Sequence, residues 1–232
     1  MILYILFILT VLVCIIYDHL VIENLTNSEK RFSNTQQLGY DENILYNRTS
    51  NQIVTILNSI PEVDYPENTS NETLNEIEEL LEFQKNRPNN FDKTILDELV
   101  LTNIIKKFTT NEDEASKIYY FIKNIVGPIV LKIKVKYDRV RPSHLDDRIK
   151  PVVENPNHPS YPSGHASESY TIANIMADKY PNRKTEFLEL ARTFSVNREI
   201  GGFHYKSDTE YGRIIGKKIA SFYEGNNNIL NN

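Results

Sequence analysis

The sequence predicts an all-α fold, a helical bundle of about six to seven helices, on three observations. Apolar residues recur at helical spacing through most of the chain after Asn71; residues able to cap a helix stand where those runs begin; and no stretch of useful length alternates apolar and polar side chains as a strand would. At 232 residues the chain suits one well-buried domain with accessory segments and is too short for two ordinary domains with long connections. The expected division is an N-terminal membrane anchor over 1–22, a polar, loosely ordered stalk over 23–70, a helical catalytic domain over 71–224 and a disordered tail over 225–232.

Each element has its own signal. Met1 to Tyr17 carries no charged side chain and ends at Asp18, close to the minimum needed to span a bilayer. It lacks a basic start and a small-x-small cleavage pattern, so it reads as an uncleaved anchor, with a cleaved signal peptide and a buried helix as alternatives. Asn, Glu, Ser, Thr and Asp dominate the stalk, which has room for one short helix. The first bundle helix starts at Asn71, a candidate cap, and carries Leu74, Ile77, Leu80, Leu81 and Phe83. A second is marked by Phe91, Ile95, Leu99, Ile104, Ile105 and Phe108, and a third by Ala115, Ile118, Ile122 and Ile125 after Thr110 and Asn111. Gly127-Pro128 then starts a fourth helix or kinks the third, running to Tyr137 with Lys134 near its end. The proline-rich stretch 143–162 reads as a loop, of a length that is often functional. Helices follow over 166–180, stopped by Pro181, over 184 to about 199, and over 208–223.

Composition narrows the function. A net charge of -5 excludes a typical nucleic-acid binder, because no excess of Lys and Arg is present to displace counterions from a phosphate backbone. Any basic site has to be local. The single cysteine, Cys14, lies in the apolar N-terminal run, so the folded part has no internal disulfide. Four N-x-S/T sequons, at Asn24, Asn47, Asn68 and Asn71, suit an extracytoplasmic or lumenal domain on a single-pass membrane protein, or a secreted one if the N-terminus is removed. In a chain this rich in asparagine they are weak support.

Three segments carry chemistry: Lys134-VKYDRV-Arg141-Pro142, Pro162-Ser163-Gly164-His165, and Arg198-EIGGF-His204-YKS-Asp208. A phosphoryl group needs its oxygens neutralised by fixed donors. Lys134, Arg141 and Arg198 supply three cations, two of them planar forks matched to phosphate. Ser163 and Gly164 precede an expected helix, so their N–H groups and the Ser163 hydroxyl can meet an anion at its positive end, and Gly164 permits a close backbone approach. Two histidines divide the labour of attack and proton donation. Ser207-x-x-Glu210 reads as a capping box, which puts His204 in the turn before the last helix and Asp208 in its first turn. From there the Asp208 carboxylate can hold one ring nitrogen.

Taken singly, each residue has an ordinary explanation as a solvated charge, a turn or a helix cap. The joint spacing does not. All ten positions are similar in type, order and spacing to the signature of the type 2 phosphatidic acid phosphatase superfamily, which includes bacterial non-specific acid phosphatases, lipid phosphate phosphatases and vanadium haloperoxidases. The resemblance implies His204 as nucleophile, His165 as general acid and then base, Asp208 as the third member of the triad, and Lys134, Arg141, Ser163, Gly164 and Arg198 as the phosphate site. It implies a phosphate monoester substrate and neither metal nor other cofactor, since three cations already balance the anion. One departure is visible: Asn197 stands where such families usually carry Ser. His144 and His158, in the proline-rich loop, are expected to face solvent, with a substrate contact from either as the alternative. The competing readings are a lipid phosphate phosphatase, a vanadium-dependent haloperoxidase and an inactive phosphate-binding scaffold.

Overall fold

The computed structural model describes residues 50–224, and the expected anchor, most of the stalk and the tail lie outside them. Among the described residues every regular element is helical, and no helix is long and apolar enough to cross a membrane. The elements are α1 (Asn51–Ser59), α2 (Asn71–Lys85), α3 (Phe91–Glu98), α4 (Leu101–Phe108), α5 (Glu112–Phe121), a π-helical turn (Ile122–Val126), α6 (Gly127–Tyr137), the short α7 (Pro142–Leu145), α8 (Gly164–Lys179), a 3₁₀ turn (Pro181–Arg183), α9 (Lys184–Ile200) and α10 (Lys206–Glu224).

Helix α8 is the axis of the bundle. Its buried residues cover most of its surface, from Ala166 and Ser167 through Tyr170, Ile172 and Ala173 to Met176, because α9 and α10 pack along it. The α10 face is tight. A Cβ on Gly212 would stand 2.8 Å from the Ser163 carbonyl oxygen, and one on Gly216 would stand 2.6 Å from that of Ser167, so both positions need glycine for the helices to approach this closely. Ile118, Ile122, Ile129 and Ile133 on α5, the π turn and α6, and Phe108, Phe187 and Ile215 around α8, complete one continuous apolar core. Full burial of such a side chain contributes roughly 1.5–3 kcal/mol before entropy is counted.

Several sequence expectations change in detail. The stalk expected over 23–70 contains α1, capped by Ser50, and its Ile53, Ile56 and Ile60 are buried in the main core. The packed domain therefore begins before Asn71. Ser70, not Asn71, caps α2, accepting from the Thr73 N–H at 3.2 Å. The single helix expected over 91–108 breaks between Glu98 and Leu101. Gly127-Pro128 opens α6 with the proline in its first turn, and the π turn between α5 and α6 is wide enough to take a residue that lacks an N–H and crowds the carbonyl four residues back. Of the sequons within the described residues, Asn68 is buried and offers no room for a glycan, whereas Asn71 is exposed.

Candidate active site

Helix α6 ends at Asp138, whose left-handed backbone (φ 48°) returns its N–H to the Lys134 carbonyl at 2.8 Å. This stop aims the last turn of α6 inward. Lys134 is 1 % exposed, its ammonium donating to the main-chain oxygens of Pro159 (2.7 Å) and Ser160 (2.9 Å). Burial, and then the neighbouring Arg141, push its pKa well below the ordinary lysine value. Arg141 is fully buried just before α7. It donates from Nε to the His158 carbonyl (3.0 Å) and from Nη1 to that of Phe203 (2.8 Å), while Nη2 meets His158 Nδ1 at 3.0 Å. His158 thus lies against the site, contrary to its expected exposure. The Arg141 fork ties the proline-rich loop to the third motif.

The third motif is shaped by the end of α9. Gly202, at φ 80°, allows Phe203 N–H to reach back to the Arg198 carbonyl (3.0 Å) and Gly202 N–H to that of Glu199 (2.8 Å), the paired bonds of a Schellman stop. The chain reverses there and delivers His204 beside the start of α10. Tyr205 N–H donates to Asp208 Oδ2 at 3.0 Å, so Tyr205 and Asp208 close the first turn of α10. The expected box of Ser207 and Glu210 does not form. Ser207 instead binds Glu76 through its N–H (2.5 Å) and its hydroxyl (3.0 Å), and Glu210 pairs with Arg213.

His204 Nδ1 meets Asp208 Oδ2 at 3.1 Å, which favours the tautomer with the proton on Nδ1 and leaves the Nε2 lone pair for chemistry. Burial pushes the His204 pKa well below its ordinary value, against the pull of Asp208. Asp208 is itself fully buried. Burial alone would raise its pKa, but Arg139, which donates to Oδ1 at 2.7 Å, and the bonds from His204 and Ser160 hold it far below the usual carboxylate range. Arg139 is 0 % exposed, stacks 3.8 Å from the Tyr205 ring centroid and reaches Glu76 at 3.1 Å. Neither Arg139, Glu76 nor Ser160 was singled out from the sequence.

On the opposite side, Ser163 caps α8 through its hydroxyl, accepting from Ala166 N–H at 3.4 Å, and its own N–H is bonded to the Asp208 carbonyl at 3.0 Å. The Ser163 N–H is therefore already engaged, and the first open residue of α8 is Gly164, where a Cβ would find nothing within 4 Å. His165 Nε2 lies 3.1 Å from the Glu98 main-chain oxygen, and burial, with Arg198 second, lowers its pKa to about 3. The Glu98 carboxylate bonds Arg198 Nη2 through one oxygen and Asn197 Nδ2 (2.5 Å) through the other. Asn197 thus has a defined partner, and Glu98 is a further site residue missed from the sequence.

One cavity of about 460 Å³ is lined by Lys134, Arg141, Gly164, His165, Arg198 and His204, with His158, Glu154, Glu168 and the apolar Leu99, Val130, Leu131, Val153 and Phe203. Six of the eight expected site residues share that lining. Asp208 stands behind His204, and Ser163 stands behind the start of α8. Three cations, two imidazoles and a helix N-terminus around one void can bind a tetrahedral anion and bring a ring nitrogen to its centre.

A non-specific acid phosphatase of Salmonella typhimurium is 33% identical over 87 residues, covering 36% of this chain and 35% of that protein. An acid phosphatase of Zymomonas mobilis is 34% identical over 65 residues, covering 28% of this chain and 25% of that protein. One from Providencia stuartii is 24% identical over 127 residues, covering 51% of each, so the chain spans about half or less of the length of these relatives. In structure, a bacterial vanadium-dependent iodoperoxidase superposes with a TM-score of 0.51 at 16% identity, over 71% of this chain and 52% of that one, which is a likeness of fold. Residues 117–223 match the model of the PAP2 superfamily. That segment, somewhat less than half of the chain, holds all three motifs, and through it the chain is similar to the PAP2 superfamily.

Proposed function

We propose that this chain is a phosphatase that hydrolyses phosphate monoesters through a phosphohistidine, without a metal. The observation that carries the reading is the lining of one cavity by Lys134, Arg141, Arg198, His165 and His204. The PAP2 match and the acid phosphatase relatives support the reaction class.

In this reading Lys134, Arg141 and Arg198 neutralise the phosphoryl oxygens, with the Gly164 N–H at the positive end of α8. His204 Nε2 uses its lone pair to form the N–P bond. The P–O bond to the alcohol breaks, and the departing oxygen takes a proton from His165. His165, now neutral, removes a proton from water as its oxygen attacks phosphorus. The N–P bond then breaks, returning its electron pair to His204 and leaving His165 protonated for the next cycle. Asp208 balances the positive charge that His204 carries while phosphorylated.

The lowered pKa of His165 does not conflict with this role. Burial, the larger cause, persists, but a phosphate dianion offsets the repulsion from Arg198, Lys134 and Arg141 and attracts the imidazolium, so substrate binding raises the His165 pKa. Three cations give the dianion full charge compensation, which is why no metal enters the scheme.

The deciding experiment measures phosphate release from an aryl phosphate between pH 5 and 7, with a chelator present. Release that persists in chelator and vanishes in His204→Ala is expected. An acid-labile phosphoryl label should appear on the wild type after rapid quenching and be missing from His204→Ala. No release from the wild type at any pH would overturn the reading. A lipid phosphate is the second reading, favoured by Leu96, Leu99 and Val100, each about half exposed at the α3–α4 break, with Leu99 also lining the cavity. Faster turnover of phosphatidate in vesicles than of soluble monoesters would select it. The apolar sequence at 1–22 is the sole basis for proposing membrane attachment.

A further inference from the structure

The cavity lining carries two carboxyl groups, Glu154 and Glu168, for which the proposed reaction has no use. Glu154 is on the exposed proline-rich loop, where a charge needs no explanation. Glu168 is different. It follows His165 by three residues on α8, so the two side chains share one face of the helix, a turn apart. Among the described residues it has no hydrogen-bond or ion-pair partner, and the charges that act on it, Lys123, Lys134 and Arg198, do so from a distance. Burial raises its pKa to about 7.

Glu168 is partly exposed inside the cavity, and with no protein partner its carboxyl is open to a ligand that enters there. The three cations of the lining, Lys134, Arg141 and Arg198, are already matched to the phosphate. The apolar part of the lining, Val130, Leu131, Leu99 and Phe203, offers no side-chain donor. A ligand that complements the whole lining therefore carries negative charge at one end and positive charge at the other.

Resting on the phosphatase reading, we propose that Glu168 is the specificity-determining group of this cavity, and that it receives an ammonium group on the alcohol portion of a small phosphomonoester. In low dielectric surroundings a charge-assisted hydrogen bond from an ammonium to this carboxylate discriminates more strongly than the same contact in water.

The test compares kcat/KM for ω-aminoalkyl phosphates of two to four carbons with n-alkyl phosphates of the same lengths, in the wild type, Glu168→Gln and Glu168→Leu. The readout is the amino-to-alkyl ratio, which a general loss of activity does not move. The wild type is expected to favour at least one aminoalkyl phosphate by roughly tenfold or more, the scale of one charged hydrogen bond. The ratio should fall to near one in both variants. Glu154→Gln should leave it high. Equal kcat/KM for both series in the wild type, or a preference that survives in Glu168→Leu, overturns the assignment while leaving the phosphatase reading intact. A wild type that hydrolyses no member of either series overturns both.

Discussion

Of the three histidines that line the cavity, His204 and His165 are held in opposite ways. His204 rests on Asp208, and Asp208 is fixed from Arg139, Ser160 and the Tyr205 N–H, with Arg139 in turn bonded to Glu76 and sandwiched against Tyr205. His165 has one contact, to a main-chain oxygen at the end of α3. Its neighbour Arg198 is held by Glu98 and keeps a buried Nε with no partner. The His204 side is held by side-chain ion pairs, and its buried groups without a partner, Arg139 Nε and the Tyr205 hydroxyl, lie outside the cavity lining. On the His165 side Arg198 lines the cavity, where an anion can meet its unpartnered donor, and the lining reaches the α3–α4 break with its exposed Leu96, Leu99 and Val100.

The largest expected effect follows from cutting the His204 side. Asp208→Asn leaves the shape but removes the charge that orders His204 and balances Arg139. Turnover should fall by about 10³–10⁴, the scale seen when a triad carboxylate loses its charge. Stability should fall by about 3 kcal/mol, because a buried guanidinium loses one of its two carboxylates. Steady-state kinetics and denaturant unfolding check the pair of losses together. A variant that keeps its stability would show that Arg139 is served by Glu76 alone.

Glu98→Gln cuts the other side and should do less. Arg198 would lose its charged partner but gain no clash, so kcat/KM is expected to fall about tenfold and stability by about 1–2 kcal/mol. Because Glu98 orients Arg198 without touching phosphorus, the loss should fall on KM more than on kcat. A loss equal to that of Asp208→Asn, in both rate and stability, would break the asymmetry between the two sides.

The same asymmetry marks what could be read from the chain. Lys134, Arg141, His165, Arg198, His204 and Asp208 were legible because phosphoryl transfer restricts residue type, and the motifs keep short, fixed spacings. Their supports were not, since Glu76 and Glu98 come from helices 63 and 100 positions away in sequence from the arginines they meet. Glu98 did leave a trace. Phe91, Ile95 and Glu98 form the buried face of α3, and an acid at a core position of an amphipathic helix asks for a cation. Helix α1 was legible too: Ser50 as cap, Ile53, Ile56 and Ile60 at helical spacing, and Pro61 as stop, all inside a stretch whose polar average hid them. Asn71 and the Ser207–Glu210 box failed for a shared reason. A cap is set by which side chain the backbone turn presents, and sequence offers neighbouring candidates of equal chemistry.

The smallest effect is one of pH, and it ties both histidines to stability. Each has a folded pKa below its ordinary value, so between that value and the unfolded one near 6.5 the unfolded chain binds the extra proton. Their contribution to stability therefore rises with pH through this window and is lost as pH falls below about 6.5, by up to about 1.4 kcal/mol per pH unit for each histidine. Asp208 adds a second loss only further down, as pH falls below its unfolded value near 3.9. Asp138, Glu168 and Glu199, raised by burial to about 7, act in the opposite sense over the first window, so the histidine share is read as a difference: between pH 7.5 and 5, His165→Gln should lose less thermal stability, or gain more, than the wild type. Inorganic phosphate should restore more stability at pH 5 than at pH 7.5, because the anion binds together with the proton that His165 takes up. His165→Gln should lose more of that rescue than it loses of the stability at pH 7.5, since His165 has a single contact to give up. If phosphate stabilises equally at both pH values, His165 does not gain its proton when an anion binds, and the contrast between the two sides fails.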